Sequence, residues 1–207
     1  MTVWSKIKRR DNKLWKRLWH LLGGSFFPIL ALFIPKAALL ISLGAITGVF
    51  ATWEIVRLNV PGVNNWMESH LKVVLKVVLK QDKRFQATGT TYFLIASLAV
   101  FLFFDKHVAI TSLLFVSIGD LMAAIIGEQY GKPILSNKSL EGSFACLVSC
   151  LLIGMLMTRI SPSITLEVAM VGAVSATIVE LLPIPIDDNL TIPLISGGIM
   201  TLIMYIS

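Results

Sequence analysis

Asp120 stands inside an apolar run, Ser117-Ile118-Gly119-Asp120-Leu121-Met122-Ala123-Ala124. An ionised carboxylate there is costly unless it is paired, hydrated or bound to a cation, so this residue is a candidate for metal binding or proton transfer. Glu54 and Glu180 also fall near the C-terminal ends of apolar runs, where the partial negative charge of a helix end disfavours a carboxylate. A divalent cation, or several Lys and Arg groups, would relieve three such acids. For Glu54 a plain ion pair with Arg57, three residues on, serves as well. Asp187-Asp188-Asn189 follows Pro183-Ile184-Pro185-Ile186. Asp188 or Asn189 suits the N-cap of the last apolar run, but one cap needs only one such residue. The remaining oxygens, with Glu180, suit a hard cation such as Mg²⁺.

A second kind of chemistry is suggested by the run Gly127-Glu128-Gln129-Tyr130-Gly131-Lys132-Pro133-Ile134-Leu135-Ser136-Asn137-Lys138-Ser139-Leu140-Glu141-Gly142-Ser143. Glycines, two lysines and three serines lead into the start of an apolar helix, and free backbone N–H groups at such a start can hold phosphate. The spacing is not that of a Walker A loop. A plain polar loop is the other reading. His20, in Arg17-Leu18-Trp19-His20, is either a hydrogen-bonding anchor at a membrane interface or a participant in the same site.

These residues must be positioned by a chain of 207 residues that is 56% hydrophobic and only 14% charged. A soluble domain carries about 25% charged residues, and so much apolar surface excludes an ordinary soluble fold, a disordered chain and a fibrous one. Seven runs are long enough, or nearly so, to span a bilayer as helices: 20–35, 37–57, 88–104, 107–126, 142–158, 164–182 and 190–206. The expected fold is therefore an all-α integral membrane protein, a polytopic bundle of about seven transmembrane helices in a single domain, 1–207. Residues 1–19, with Trp4, Trp15 and Trp19 among Lys and Arg, suit a basic interfacial arm. The loop 58–87 holds Lys72, Lys76 and Lys80 four residues apart among Val and Leu. That pattern suits an amphipathic helix lying in the membrane surface, or a packed connector. The first run follows seven basic residues with no small-residue cleavage site, so it is expected to be a retained span.

With the N-terminus placed in the cytoplasm, fifteen Lys and Arg fall on that side and three (Lys36, Lys106 and Arg159) on the other. This asymmetry predicts a cytoplasmic N-terminus and a C-terminus on the opposite side. The acids divide the same way, with only Asp105 and Glu167 on the far side. Acids respond little to topology rules, so a site at the cytoplasmic membrane boundary is the expected cause. The net charge of +6 points to anionic lipid before nucleic acid, for which no basic-aromatic groove pattern exists. Cys146 and Cys150 read as small buried residues on one helix face, with no disulfide framework. Gly44 and Gly48, four apart, would let another helix approach closely, including one from a second copy of the chain.

Taken together, these segments resemble the CTP-dependent lipid-alcohol kinases: dolichol kinase, phytol kinase and CTP-dependent diacylglycerol kinase. The similarity covers most of the chain and is strongest from Thr88 to Pro193. It rests on Ala87-Thr88-Gly89-Thr90-Thr91-Tyr92-Phe93, Gly119-Asp120 with Ala123-Ala124, and Gly127 to Gly131-Lys132. It continues through Lys138-Ser139-Leu140-Glu141-Gly142-Ser143 to Glu180 with Asp187-Asp188-Asn189-Leu190-Thr191-Ile192-Pro193. Arg17 with His20-Leu21-Leu22-Gly23, and Glu54 with Arg57, resemble the first two spans of the family. The resemblance implies transfer of the γ-phosphoryl group of CTP to a lipid hydroxyl, with Mg²⁺ assisting. Lys132, Lys138, Ser139, Glu141 and Gly142, with Thr90 and Asn189, would then serve the nucleotide. Asp187 and Asp188 would hold the metal. Asp120 would bind metal or take the proton of the hydroxyl, with Glu180 as the alternative base and His20 beside them. The implied acceptor is a membrane isoprenoid alcohol, or alternatively diacylglycerol. A phosphatidate cytidylyltransferase-like enzyme and a small transporter are the competing readings.

Overall fold

The computed structural model describes residues 3–60, 62–63, 88–135 and 138–206, with backbone alone for 3–14, 16 and 135. Seven long helices are present among the described residues. They are α1 (Val3–Phe33), α2 (Lys36–Asn59), α3 (Gly89–Phe103), α4 (Lys106–Tyr130), α5 (Leu140–Ile160), α6 (Leu166–Leu181) and α7 (Asp188–Ile206). A short antiparallel hairpin joins α4 to α5: β1 (Pro133–Leu135) and β2 (Lys138–Ser139), with Pro133 opposite Ser139 and Leu135 opposite Lys138. Helices α2, α4, α5 and α7 are long and apolar enough to cross a membrane, and α3 and Arg17–Phe33 are shorter apolar helices. All seven expected spans are thus helices of this bundle.

Four of the helix starts carry a side-chain cap taken by Ser, Thr or Asp. Thr88 accepts from the Thr91 N–H at 3.3 Å, Asp105 from His107 at 2.8 Å, Ser139 from Gly142 at 3.1 Å and Thr165 from Val168 at 3.3 Å. Each satisfies a backbone donor that lipid cannot. At α7 the cap is Asp187, whose Oδ1 accepts from the Asn189 N–H at 3.1 Å. This corrects the expectation of Asp188 or Asn189, because the helix begins one residue earlier. Within the apolar helices, Ser97, Ser117 and Ser196 return their hydroxyls to the carbonyls four residues back.

Helix α4 is the centre of the bundle. Of its apolar window 61% is buried, against 22% for α2. It packs against α1, α5 and α7; α6 lies between α5 and α7; α3 joins α7 to α2. The core is made where these meet, by Phe101, Ile110, Leu113, Phe115, Met157, Ala173 and Met200. At one end of the bundle two lysines exchange partners. Lys36 Nζ, at the start of α2, donates to the Phe104 carbonyl at 3.0 Å, and Lys106 Nζ, at the start of α4, donates to the Ile34 carbonyl at 3.0 Å. Each ammonium thus meets the negative end of a neighbouring helix.

The structure departs from the sequence reading in several places. Residues 3–19 share one unbroken helix with the first span, so the backbone of the basic arm is continuous with α1. The amphipathic helix expected within 58–87 falls, from residue 64 on, outside the described residues. The run from Gly127 to Ser143 is not one loop: α4 continues to Tyr130 and the hairpin follows. A π-helical turn, Phe115–Asp120, interrupts α4. Asp120 closes that turn, with ten more helical residues after it. The helix-end field, which fades within the last turn, therefore does not act on Asp120 as expected.

Candidate functional site

At the end of the bundle away from Lys36 and Lys106, the polar residues of six elements converge. Lys138, on β2, is the hub. Its Nζ lies 2.7 Å from Asp188 Oδ2 on α7 and 3.2 Å from Glu180 Oε1 on α6. Glu180 is 3% exposed, and its second oxygen accepts from the Ser143 hydroxyl at 2.8 Å. Burial works against the Lys138 ammonium. The hydrogen bond and charge of Asp188, then Glu180 and Asp120, outweigh it and raise the Lys138 pKa above its ordinary value. Lysine, two glutamate and aspartate partners and Asp120 therefore share one electrostatic neighbourhood.

Asp120 meets α1 on its other side. His20 Nε2 stands 3.9 Å from Asp120 Oδ2 and 3.5 Å from the carbonyl of Val116. Val116 lies within the π-helical turn, where carbonyls lose their α-helical partners. Another of them, Phe115 O, receives the Cys150 thiol at 3.9 Å. Two glycines let the turn pack so closely. A Cβ on Gly24 would come 2.6 Å from Ser117 Oγ, and one on Gly119 would come 2.6 Å from Cys150 Sγ. The cysteines are buried and unbridged, their sulfurs 3.9 Å apart.

The other candidates from the α4–α5 run divide. The Ser139 hydroxyl is buried and caps α5 through the Gly142 N–H. A Cβ on Gly142 would lie 2.7 Å from the Ala123 carbonyl, and one on Gly131 would lie 2.2 Å from Ser139 Oγ. These glycines let α4, the hairpin and α5 cross in contact. Glu141 accepts from the Lys132 backbone N–H at 3.2 Å and so pins the turn, while the Lys132 residue is exposed. Arg17 Nη2 bonds Glu128 Oε2 at 2.9 Å, tying α1 to the last turn of α4.

The acidic triplet divides as well. Asp188 faces Lys138, whereas Asp187 Oδ1 accepts from both the backbone N–H of Asn189 and its Nδ2, the latter at 2.7 Å. The Asp187–Asn189 pair faces the start of α3. A Cβ on Gly89 would lie 3.0 Å from Asn189 Nδ2 and 3.9 Å from either Asp187 oxygen. Thr90, half-buried, is the next residue of that start. Beyond it lies Glu54, buried, ion-paired to Arg57 and accepting from the Thr88 N–H at 2.9 Å and the Thr91 hydroxyl at 3.2 Å.

Sequence reasoning did not find Ser143 as the donor to Glu180, nor Thr88 and Thr91 as donors to Glu54. In each case the available signal was a hydroxyl in the first turn of a helix that starts beside an acid. Among the described residues no three of His, Cys, Asp and Glu stand close enough together to hold a metal ion as a ready set. The donors nearest one another, Glu180 and Asp188, are oxygen ligands of the type that hard cations take, and Lys138 bridges them.

No family model matches the chain, and no solved structure does. Among curated proteins it is similar to an uncharacterized protein of Rickettsia prowazekii, 26% identical over 193 residues, covering 91% of this chain and 93% of that one. It is 30% identical over 201 residues to the Triticum aestivum protein named "Probable phytol kinase, chloroplastic", covering 89% of this chain and 65% of the wheat protein. It is 26% identical over 168 residues to CTP-dependent diacylglycerol kinase 1 of Schizosaccharomyces pombe, covering 74% of this chain and 75% of the yeast protein. The chain thus spans just under two thirds of the wheat relative and three quarters of the yeast one. In its helical bundle of apolar spans and in these relatives, the chain is similar to the CTP-dependent lipid kinases over most of its length.

Proposed function

We propose that this protein transfers the γ-phosphoryl group of CTP to the hydroxyl of a membrane isoprenoid alcohol of the phytol or polyprenol kind. The reaction would take place at the cytoplasmic face, where the basic residues are concentrated. One observation carries the reading: Lys138 stands between Glu180 and Asp188, with Asp120 and His20 alongside, all at one end of an apolar bundle. Phosphoryl transfer asks for cations on phosphate oxygens, a positioned hydroxyl and a base, and little covalent work by the protein. The phytol kinases among the relatives support the isoprenoid alcohol; the yeast relative supports diacylglycerol as the second acceptor to test.

In this mechanism the lipid tail stays in the bilayer and its hydroxyl reaches Asp120. Asp120 accepts the hydroxyl proton as the oxygen forms its bond to the γ-phosphorus. The bond from that phosphorus to the β–γ bridging oxygen breaks, and CDP leaves with the electron pair. His20, 3.9 Å from Asp120, is placed to steady the carboxylate. Lys138 exchanges part of its contact with Asp188 and Glu180 for phosphate oxygens, and Lys132 adds a second cation from the exposed turn. A magnesium ion carried with the nucleotide would be held by Asp188 and Glu180; when bound it would neutralise charge on the phosphates. Asp187 caps α7 through Oδ1 and thereby also fixes Asp188 and Asn189.

Purified protein with CTP labelled on the γ-phosphate and a panel of phytol, polyprenol and diacylglycerol decides the question. Labelled isoprenoid monophosphate and free CDP are expected. Release of pyrophosphate would mark cytidylyl transfer instead. The absence of labelled lipid from every alcohol would refute the kinase reading.

A further inference from the structure

We infer that Glu54 and Arg57 form a positioning unit for the Asp187–Asn189 turn, acting through the start of α3. Glu54 is buried near the end of α2, where its carboxylate needs partners that water cannot supply. The structure answers with two positive partners. One is Arg57, 1% exposed, in direct ion pair with Glu54 Oε1. The other is the N-terminal end of α3, through the Thr88 N–H at 2.9 Å and the Thr91 hydroxyl at 3.2 Å. The carboxylate thus clamps the first turn of α3 to α2. The next residue, Gly89, touches the far side of the site: its missing Cβ leaves room for Asn189 Nδ2. Asn189 in turn bonds Asp187, whose carbonyl receives the Leu190 N–H at 2.9 Å and the Thr191 N–H at 3.2 Å. Asp188 lies between them and holds Lys138. A continuous series of contacts therefore runs from α2 to the Lys138 centre, although Glu54 touches none of the reacting groups.

The Glu54 carboxylate spends both oxygens on the first turn of a helix that abuts the proposed site. Its effect on rate rests on the kinase reading above; its effect on structure does not.

The test uses the full chain in detergent, with Glu54→Gln, the charge-neutral double variant Glu54→Gln/Arg57→Met, and Gly89→Ala. Gly89→Ala disturbs the far end of the series without touching Glu54. Two readouts are taken: amide hydrogen exchange by residue, and kinetics with labelled CTP and lipid alcohol. In all three variants the Leu190 and Thr191 amides should exchange faster than in the wild type. The kcat should fall by on the order of 10–100-fold, as a small misplacement of a remote support does, with KM for the lipid nearly constant. Faster exchange confined to α2 and α3, with 190–191 unchanged, would overturn the inference even if activity falls. If Glu54→Gln alone fails to fold, the double variant and Gly89→Ala carry the same decision. A wild type inactive toward every lipid alcohol removes the kinase reading, and the exchange result still decides the positioning.

Discussion

Replacing Lys138 by Met removes the cation that Glu180 and Asp188 share. A unit charge pair at about 4 Å with an effective dielectric of about 20 interacts by about 4 kcal/mol, and desolvation of both groups offsets much of that. Removing one member of a buried pair costs about 3–5 kcal/mol, because the other charge is left without its partner. Here one acceptor, Glu180, is buried at 4% side-chain exposure and the other, Asp188, stands at 27%, so the lower end applies. A loss of about 3 kcal/mol corresponds to a fall of roughly 6–12 °C in melting temperature for a chain of this length. The pH dependence separates this cause from lost packing. In the wild type the raised Lys138 pKa means that its stabilisation is complete below the ordinary lysine value of about 10.4 and fades only as pH rises through the raised one. It is flat across neutrality. In the Lys138→Met variant no ammonium is left to titrate, so its deficit against the wild type should stay constant across neutral pH and narrow only as pH rises through the raised Lys138 pKa. The assay is thermal unfolding in detergent at a series of pH values, for Lys138→Met, Glu180→Gln and the double variant. The double variant should regain part of the loss, since it leaves one fewer unpaired charge. A Lys138→Met protein that melts with the wild type at every pH would refute the account of Lys138 as the hub.

In turnover, Lys138→Ala should raise KM for CTP more than KM for the lipid, measured by varying each substrate in turn. Asp120→Asn should lower lipid phosphorylation by about 10²–10⁴-fold while the protein stays folded in detergent; near-normal turnover would remove Asp120 from the reaction. Ser139→Ala should cost about 1 kcal/mol of stability through the lost α5 cap, with KM for CTP little changed, since the hydroxyl already serves Gly142. Gly142→Ala should destabilise by about 1–3 kcal/mol because its Cβ would press on the Ala123 carbonyl at 2.7 Å. Gly23→Ala, with nothing within 4 Å of its Cβ, should be neutral or slightly stabilising by thermal melting.

The spans were legible because bilayer thickness imposes a run length that composition alone reveals, and the helices found match those runs closely. The convergence of Asp120, Glu180 and Asp188 was foreshadowed by the cost of placing acids beside hydrocarbon. Their partners were not legible. Lys138 lies 42 residues from Glu180 and 50 from Asp188, and no local pattern encodes such a pairing. The three glycines at 127, 131 and 142 make room in space for crossing backbone and the Ser139 side chain, a packing that their spacing in the sequence does not encode. Glu54 looked exposed to an unfavourable helix end because α3, whose opposite end neutralises it, follows only after some thirty residues. The capping Asp187 was missed by one position, since three adjacent capping residue types give no unique start. The wide turn at Phe115–Asp120 carries no composition signal at all.

That wide turn has a consequence for the angular phase of α4. It holds one residue more than an α-helical turn of the same rise, and one residue is about 100° of rotation and about 1.5 Å of length. The azimuth of Asp120 is therefore set by a ring of hydrogen bonds upstream of it. Residues 108–113 are buried on every side, so the compensating swing cannot be absorbed above the turn. It passes instead to Leu121–Tyr130, which carries Gly127 and Glu128. Deleting a single residue from 115–119 would wind the helix back into regular register and turn the carboxylate away from His20 and Lys138. The chain length of this short stretch, as much as the identity of its aspartate, aims the acid.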